Sequence, residues 1–416
     1  MNSLQLISSK KDFYTLLLAI IFIAFFNLFY QYFNYLDIKD EEIFEDRFKI
    51  MNIYKKEDFY ILKLENGNFS FFTSIQKDKN LKKLDSIILG FLTTHIDFYT
   101  YLKGFYAKSI YYEKFKNEKT LRVILKEKIE SQHEDIRLKQ LFEALFLAIP
   151  ISKEYRQIYT NFSITHLIAI SGFHLSIIAF LVYFIIYYPY TFLHNRYFPY
   201  RNRRSDILLF SIFILCFYLS LTNNVASLLR SFIMFFLGIL FSRSNIKVIS
   251  FQTLFLTLVL IISFFPKYLF SISLWFSICG VFYIFLYIYY FKNLPKFFSF
   301  LFFNFWIYFV FNPIIHFFFL NTSYEQLLSP FLTMIFTIFY PLELFLHFFN
   351  FGGLLDKYLI YFINYKMEVF DFQTPTIFFI FYIIISLLSI YSKKAFLLLN
   401  LLLIFFNFYM FMNSFL

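Results

Sequence analysis

The sequence predicts a polytopic α-helical membrane protein with a small extracytoplasmic β domain after its first span. Three observations predict it. Hydrophobic residues fill 59% of 416 positions and charged residues only 16%, well away from the balance of soluble globular chains. The apolar residues come in blocks of about 17–25, the length that crosses about 30 Å of hydrocarbon. Between the first block and the rest, residues 37–160 are charged and alternating, a pattern that no bilayer core would hold.

The first apolar run, Phe13–Leu36, follows Lys10 and Lys11. It is long for a signal peptide and lacks a small-residue cleavage site, so residues 1–36 read as an uncleaved anchor. Asp37, Asp40, Glu41, Glu42, Glu45 and Asp46 read as an acidic linker. Strands are expected at Phe59–Leu64 and Asn68–Phe72, joined by the hairpin signal Asn66-Gly67, and again at Ser86–Leu92 and Lys103–Tyr112. Four or five short strands suit an OB-like barrel over residues 37–112. From 113 to 160 the period turns helical, with apolar stripes at Leu121, Ile124, Leu125, Ile129 and at Leu138, Leu141, Leu145, giving an amphipathic connector.

Residues 161–416 return to the membrane. Spans are expected near 163–187, 206–222, 225–242, 247–265, 270–291, 298–319, 327–349, 375–391 and 395–414, eight to ten in all with the first. Lys and Arg in the short loops set orientation. With the N-terminus inside, Lys10, Lys11, Arg196, Arg201, Arg203, Arg204, Arg243, Lys247, Lys292, Lys296, Lys357 and Lys366 fall on the cytoplasmic side. Only Lys267, Lys393 and Lys394 fall opposite. The β domain is then outside the cytoplasm. From Arg47 to Lys139 it carries 19 Lys plus Arg against 12 Asp plus Glu. That surplus either draws polyanions, in a salt-sensitive way, or is a solvated surface.

The 70 Phe and 34 Tyr are read as the usage of an AT-rich genome and as lipid-facing filler, not as base-stacking platforms. Cys216 and Cys279 lie in apolar runs and form no Cys-x-x-Cys pair, so neither a zinc knuckle nor a redox couple is supported. No P-loop occurs, the seven histidines are scattered, and neither a metal nor a cofactor is expected.

Polar groups inside apolar runs are costly and mark candidate sites. Read as one helix from Ser163, Thr165, Ala169, Gly172, Ser176 and Ala179 share a small-residue packing face. The opposite face carries His166 and His174, either lining a pore or bonding neighbouring helices. Farther on, Asn223, Ser227, Arg230, Ser231 and Met234 share a stripe. Arg230 calls for a phosphate, a carboxylate such as Glu343, or helix carbonyls. Ser273, Ser277 and Gly280 form a further small-residue stripe suited to packing. Glu343, beside Pro341, is either a proton carrier or a paired acid.

Three segments together resemble the signature of the ComEC family, the membrane channels of natural competence: Glu143–Ala148, Tyr155–Tyr159 and His166-Leu-Ile-Ala-Ile-Ser-Gly-Phe-His174. Asn224–Met234 resembles the family's Arg-containing helix, and Pro266–Gly280 its proline-then-serine segment. The resemblance implies a non-enzymatic channel, without catalytic residues, in the inner membrane of a Gram-negative bacterium. It would pass single-stranded DNA into the cytoplasm, taken from an extracytoplasmic DNA receptor and drawn in by cytoplasmic DNA-pulling or DNA-binding proteins. The path would run along His166, Ser171, Gly172, His174, Asn223, Ser227 and Arg230. Oligomeric state does not follow from it.

There are departures from the family pattern. Long members end in a metallo-β-lactamase-like domain, which this sequence does not show, so a short form is expected and strand degradation falls to another protein. The family's Gly-Asp before the histidine element reads Ala148-Ile149 here, and the cysteine pair that some relatives carry in the exterior domain is absent. The alternative function is a polymerase or ligase of surface-polysaccharide assembly, whose soluble loop usually lies late in the chain. A secondary transporter would need inverted repeats that are not visible.

Overall fold

A computed structural model describes residues 10–78, 80–115, 120–243 and 250–412. Lys247 and the start of the 247–265 span lie outside the described residues, as does the end of the 395–414 span. The chain begins with α1 (Lys10–Lys39), then β1 (Ile43–Lys55), β2 (Phe59–Glu65), β3 (Ser70–Gln76), β4 (Ser86–Leu92), α2 (Phe98–Lys103), β5 (Phe105–Tyr106) and β6 (Ser109–Lys114). Short helices follow: α3 (Leu121–Glu130), α4 (Ile136–Leu147), α5 (Lys153–Asn161) and α6 (Thr165–Ile168). Then come α7 (Gly172–Tyr197), α8 (Arg203–Leu221), α9 (Ala226–Arg243), α10 (Phe251–Phe264), α11 (Ile272–Tyr290) and α12 (Lys296–Phe318). The last elements are β7 (Asn321–Ser323), α13 (Ser329–Phe348), α14 (Asp356–Ile363), β8 (Val369–Asp371), α15 (Thr376–Leu388) and α16 (Lys393–Met412).

Among the described residues, seven helical stretches are long and apolar enough to cross a membrane, and Ala226–Leu240, Phe251–Phe264 and Thr376–Leu388 are shorter apolar helices. The chain divides into two compact units, residues 1–153 with 170–275 and residues 154–169 with 276–416.

In the first unit, one six-stranded sheet runs in the order β5-β3-β2-β1-β4-β6. It curls, because the single stretch 105–114 pairs with β3 at its start and with β4 afterwards. Phe48, Ile50, Leu62, Leu64, Phe71, Ile87, Leu89 and Phe91 fill its interior. The hairpin at Asn66-Gly67 forms as expected, with Gly67 at φ +94° and Asn66 Oδ1 accepting from Phe69 N at 3.2 Å.

The acidic linker is shorter than expected, with only Asp40, Glu41 and Glu42 lying between helix and strand. Helix α1 continues to Lys39, and Glu45 and Asp46 already belong to β1, the longest strand and a central one. A bulge between Ile50 and Asn52 shifts the register of β1 against β2, while Phe48, Ile50 and Asn52 stay on the buried face.

The α3–α4 hairpin buries charge. Glu143 is 4% exposed, and burial, together with a hydrogen bond to Glu130, raises its pKa. Lys126 pairs with Glu130 at 3.4 Å. Lys83, which donates to the Pro150 carbonyl, is lowered to about 8, chiefly by burial. Ala148 ends α4 in the left-handed conformation at φ +55°. An alanine bears a cost of about 1–2 kcal/mol in that conformation. Helix α1 packs on α10, Asn27 Nδ2 donating to the Ser263 carbonyl at 3.0 Å. The turn between α7 and α8 is tied by Arg201–Asp206 at 2.8 Å and by Tyr190 Oη to Asp206 at 2.6 Å.

In the second unit, polar side chains join the helices: Asn312 to Asn407 at 2.6 Å, Trp306 to Asn400 at 2.8 Å and Tyr283 to Ser386 at 2.9 Å. Here the expected direction of the last spans is reversed. Strand β7 pairs antiparallel with β8, so the segments around 321 and 370 share one end of the unit. Tyr290 Oη donates to the Ser389 carbonyl at 2.7 Å, so the loops around 292 and 391 share the other. The missing return is the broken stretch from Gly352 through α14. Its Phe362 stacks on Phe162 at 4.3 Å, close to Ser163, whose carbonyl accepts from Ser329 at the start of α13. Lys393 and Lys394 therefore join the end that holds Lys292 and Lys296, and Lys366 leaves it. The charge asymmetry grows sharper.

Two tests follow from these arrangements. With Cys216 and Cys279 replaced by serine, single cysteines at 292 and 391 should react with an impermeant maleimide from one side of the membrane, and cysteines at 320 and 369 from the other. Labelling of 292 and 391 from opposite sides would refute the β7–β8 arrangement. A carboxyl whose folded pKa is raised stabilises fully below its unfolded pKa, and that contribution fades as pH rises toward the folded value. Glu143 should thus make the first unit less heat-stable between about pH 5 and about pH 8, and Glu143→Gln should flatten that slope in thermal scans.

Candidate functional site

The helix expected from Ser163 is interrupted. Helix α6 stops after one turn, Ala169 is extended at ψ 122°, and Ser171 (φ −132°, ψ −179°) caps a new helix, α7. Ser171 Oγ accepts from Phe173 N at 3.3 Å, and the Ser171 N–H donates to His174 Nδ1 at 3.1 Å. This is a capping box with histidine standing where glutamate usually does. The carbonyl of Ile170, freed by the break, accepts from Ser227 Oγ at 2.6 Å. Non-helical backbone in an apolar segment survives only with such partners.

Gly172 is the first helical residue of α7 and brings it against α9. A Cβ there would lie 2.6 Å from Ser231 Oγ and 3.2 Å from Arg230 Nη2. Arg230 is 7% exposed. Its Nη2 donates to Ser231 Oγ at 2.8 Å, and Ser231 Oγ donates to the Ser227 carbonyl at 3.0 Å. Nη1 lies 3.3 Å from Met234 Sδ. A guanidinium thus sits beside the amino end of a helix, whose unpaired N–H groups carry about half a positive charge. Both attract anions, and each repels the other.

The structure redistributes the expected site residues. Ser171, Gly172, Ser227 and Arg230 come together. His174 is wholly buried as part of the cap and presents no surface to a passage. His166 lies on α6, exposed, with a hydrogen bond to the Ser163 main chain. The two histidines do not share a helix face, because the break intervenes. For the same reason the stripe Thr165, Ala169, Ser176 does not exist as a packing face. Thr165 Oγ1 meets Thr160 Oγ1 at 3.2 Å, Ser176 bonds back to the Gly172 carbonyl, and Ala169 and Ser176 are exposed.

Asn223 precedes α9 rather than joining its stripe. At φ +61° it donates to Glu65 Oε2 at 2.7 Å. Ser273 is exposed and Ser277 half-buried. At Gly280 the Phe311 ring lies 3.8 Å from where a Cβ would be. Glu343 is wholly buried, and His347 Nδ1 of its own helix lies 3.2 Å from Oε2. Sequence reasoning missed the grouping of Lys49, Glu65, Arg122, Asn223 and Lys267. The Lys267–Glu65 contact alone joins residues 202 apart in the chain, which no local pattern signals.

The family model described as competence protein matches residues 150–412, and the chain belongs to that family. No curated protein and no solved structure matches it.

Overpacking at a helix contact costs about 1–3 kcal/mol. Gly172→Ala should lower the thermal stability of the purified chain by that amount, and Ser231→Gly in the same chain should recover most of it. An unchanged melting curve for Gly172→Ala alone would remove the close approach of α7 and α9.

Proposed function

We propose that this competence-family chain is a multi-pass channel of the bacterial inner membrane that admits single-stranded DNA to the cytoplasm. Membership of the family supports the role in DNA uptake. The observation that carries the finer reading is Arg230 beside the amino end of α7. Single-stranded DNA presents one negative charge per nucleotide and needs a path in which phosphate oxygens find donors. Guanidinium forks and helix amino ends are suited to that. In this reading the OB-like barrel meets DNA outside, and the α7 break places a phosphate contact within the apolar bundle. The chain performs no covalent chemistry. An extracytoplasmic receptor delivers the strand and cytoplasmic proteins draw it in.

Hydrogen bonds to charged groups are worth about 1.5–3 kcal/mol. Arg230→Ala should lower transformation frequency by about tenfold or more while the protein accumulates normally. Arg230→Lys, which keeps the charge and loses the fork, should fall between. Wild-type transformation by Arg230→Ala would end this reading, and equal loss of the protein would assign Arg230 to folding.

A further inference from the structure

A second group of cations lies in the first unit, apart from Arg230, where the barrel meets the turns before α9 and α11. Its centre is Glu65, the last residue of β2. Lys49 is its direct cross-strand partner on β1, and such pairs share a face with Cβ atoms about 5 Å apart. Lys267 Nζ lies 3.5 Å from Glu65 Oε1, and Asn223 Nδ2 donates to Oε2 at 2.7 Å.

Arg122 completes the group. Its charge acts on Glu65 and on Lys49. It is 6% exposed and anchored by Nη2 to the Leu147 carbonyl at 2.8 Å, while its buried Nε has no hydrogen-bond partner. Lys267 and Asn223 thus contact one carboxylate, Lys49 stands across the strand from it and Arg122 acts on it through its charge, so that one anion faces three cations within the group. A carboxylate held between a side-chain amide and two or three cations is arranged as a phosphate would be.

Resting on the channel reading above, we propose that Lys49, Arg122, Lys267 and Asn223 form a seat for a phosphodiester of single-stranded nucleic acid, and that Glu65 is the internal anion a strand displaces from it. Displacement would also free Asn223, which with Asn224 forms a left-handed turn (φ +61° and +52°) leading into α9, the helix of Arg230. Seating a strand would thereby loosen the entry of that helix.

The test uses the full chain in phosphatidylcholine nanodiscs and fluorescence anisotropy of a labelled oligothymidylate, titrated from about 50 to about 200 mM salt. Glu65→Gln should bind about two- to fivefold more tightly, the reach of one partly exposed ion pair. Glu113→Gln, at an exposed site on β6, controls for the change in net charge and should tighten binding less. Lys49→Gln and Lys267→Gln should each lower the slope of log affinity against log salt by about 0.7.

Equal tightening by Glu65→Gln and Glu113→Gln, or an unchanged slope in Lys267→Gln, would overturn the seat. So would competition by phosphatidylglycerol in wild type that Lys267→Gln abolishes, since the seat would then belong to lipid. Loss of transformation in Arg230→Ala without any special effect of Glu65→Gln would remove the seat and leave the channel. The predicted slopes in a chain whose deletion leaves transformation intact would do the reverse.

Discussion

The rest of the first unit's membrane part depends on one constraint, that a helix interrupted inside an apolar segment must rehouse its backbone polar groups. Each unpaired N–H or carbonyl in hydrocarbon costs several kcal/mol. The interruption at Ala169–Ser171 is tolerable because His174 takes the Ser171 N–H, Ser171 Oγ takes Phe173 N, and Ser227 reaches the Ile170 carbonyl. Those partners in turn fix the distance between α7 and α9, which only glycine at 172 permits. Arg230 and Ser231 are thereby pressed against the new helix start. Break, cap, close approach and buried guanidinium form one arrangement, and none of its parts could be altered singly without exposing another.

The second unit meets the same solvent problem differently. Its helices have no hydrophobic drive to associate in lipid, so side-chain hydrogen bonds and ring packing supply adhesion. Asn407 illustrates the economy: Oδ1 accepts from Asn312, while Nδ2 donates to the carbonyls of Phe309 and Leu403. Tyr382 reaches the Val310 carbonyl at 2.8 Å. These contacts set the mutual register of α12, α15 and α16. The two-stranded β7–β8 ribbon then fixes which way the last helices run, because paired backbones admit one orientation.

Much of this was legible in the sequence where the physics is local. Ser86–Leu92 was readable as a strand to the residue, and Asn66-Gly67 as a turn, because strand alternation and the tolerance of positive φ act over a few residues. Strand β1 was not readable, since its inward face ends on the polar Asn52 after Phe48 and Ile50 and its first acids, Glu45 and Asp46, read as linker. The α6–α7 break was hidden by its own chemistry. Ala-Ile-Ser-Gly is as apolar as the helix around it, and a rotation of 100° per residue carried His166 and His174 onto a common face that does not exist. The direction of the last spans was misjudged because the return through α14 is short and broken. No single feature of the residues between 349 and 368 marks a crossing. The seat around Glu65 lay beyond any reading by period, being assembled from a strand, a connector helix and two turns.

The two buried arginines of the first unit show how one residue type can be settled or unsettled by a helix end. Arg122 lies at the carboxyl end of α4, donating to the Leu147 and Ala148 carbonyls at 2.8 and 3.4 Å. There the helix dipole favours a cation and offers acceptors, so the residue closes α4 with its Nη2. Arg230 stands beside the amino end of α7, where the dipole opposes a cation and the nearby backbone offers donors. A structural role alone would be better served by a cation placed as Arg122 is. The juxtaposition at α7 sets two anion-attracting groups side by side, which on the proposed channel reading would suit a phosphate shared by guanidinium and helix end. On that reading a polyanion would offer such groups in sequence, each replacing the last, so that a strand would be held without being trapped.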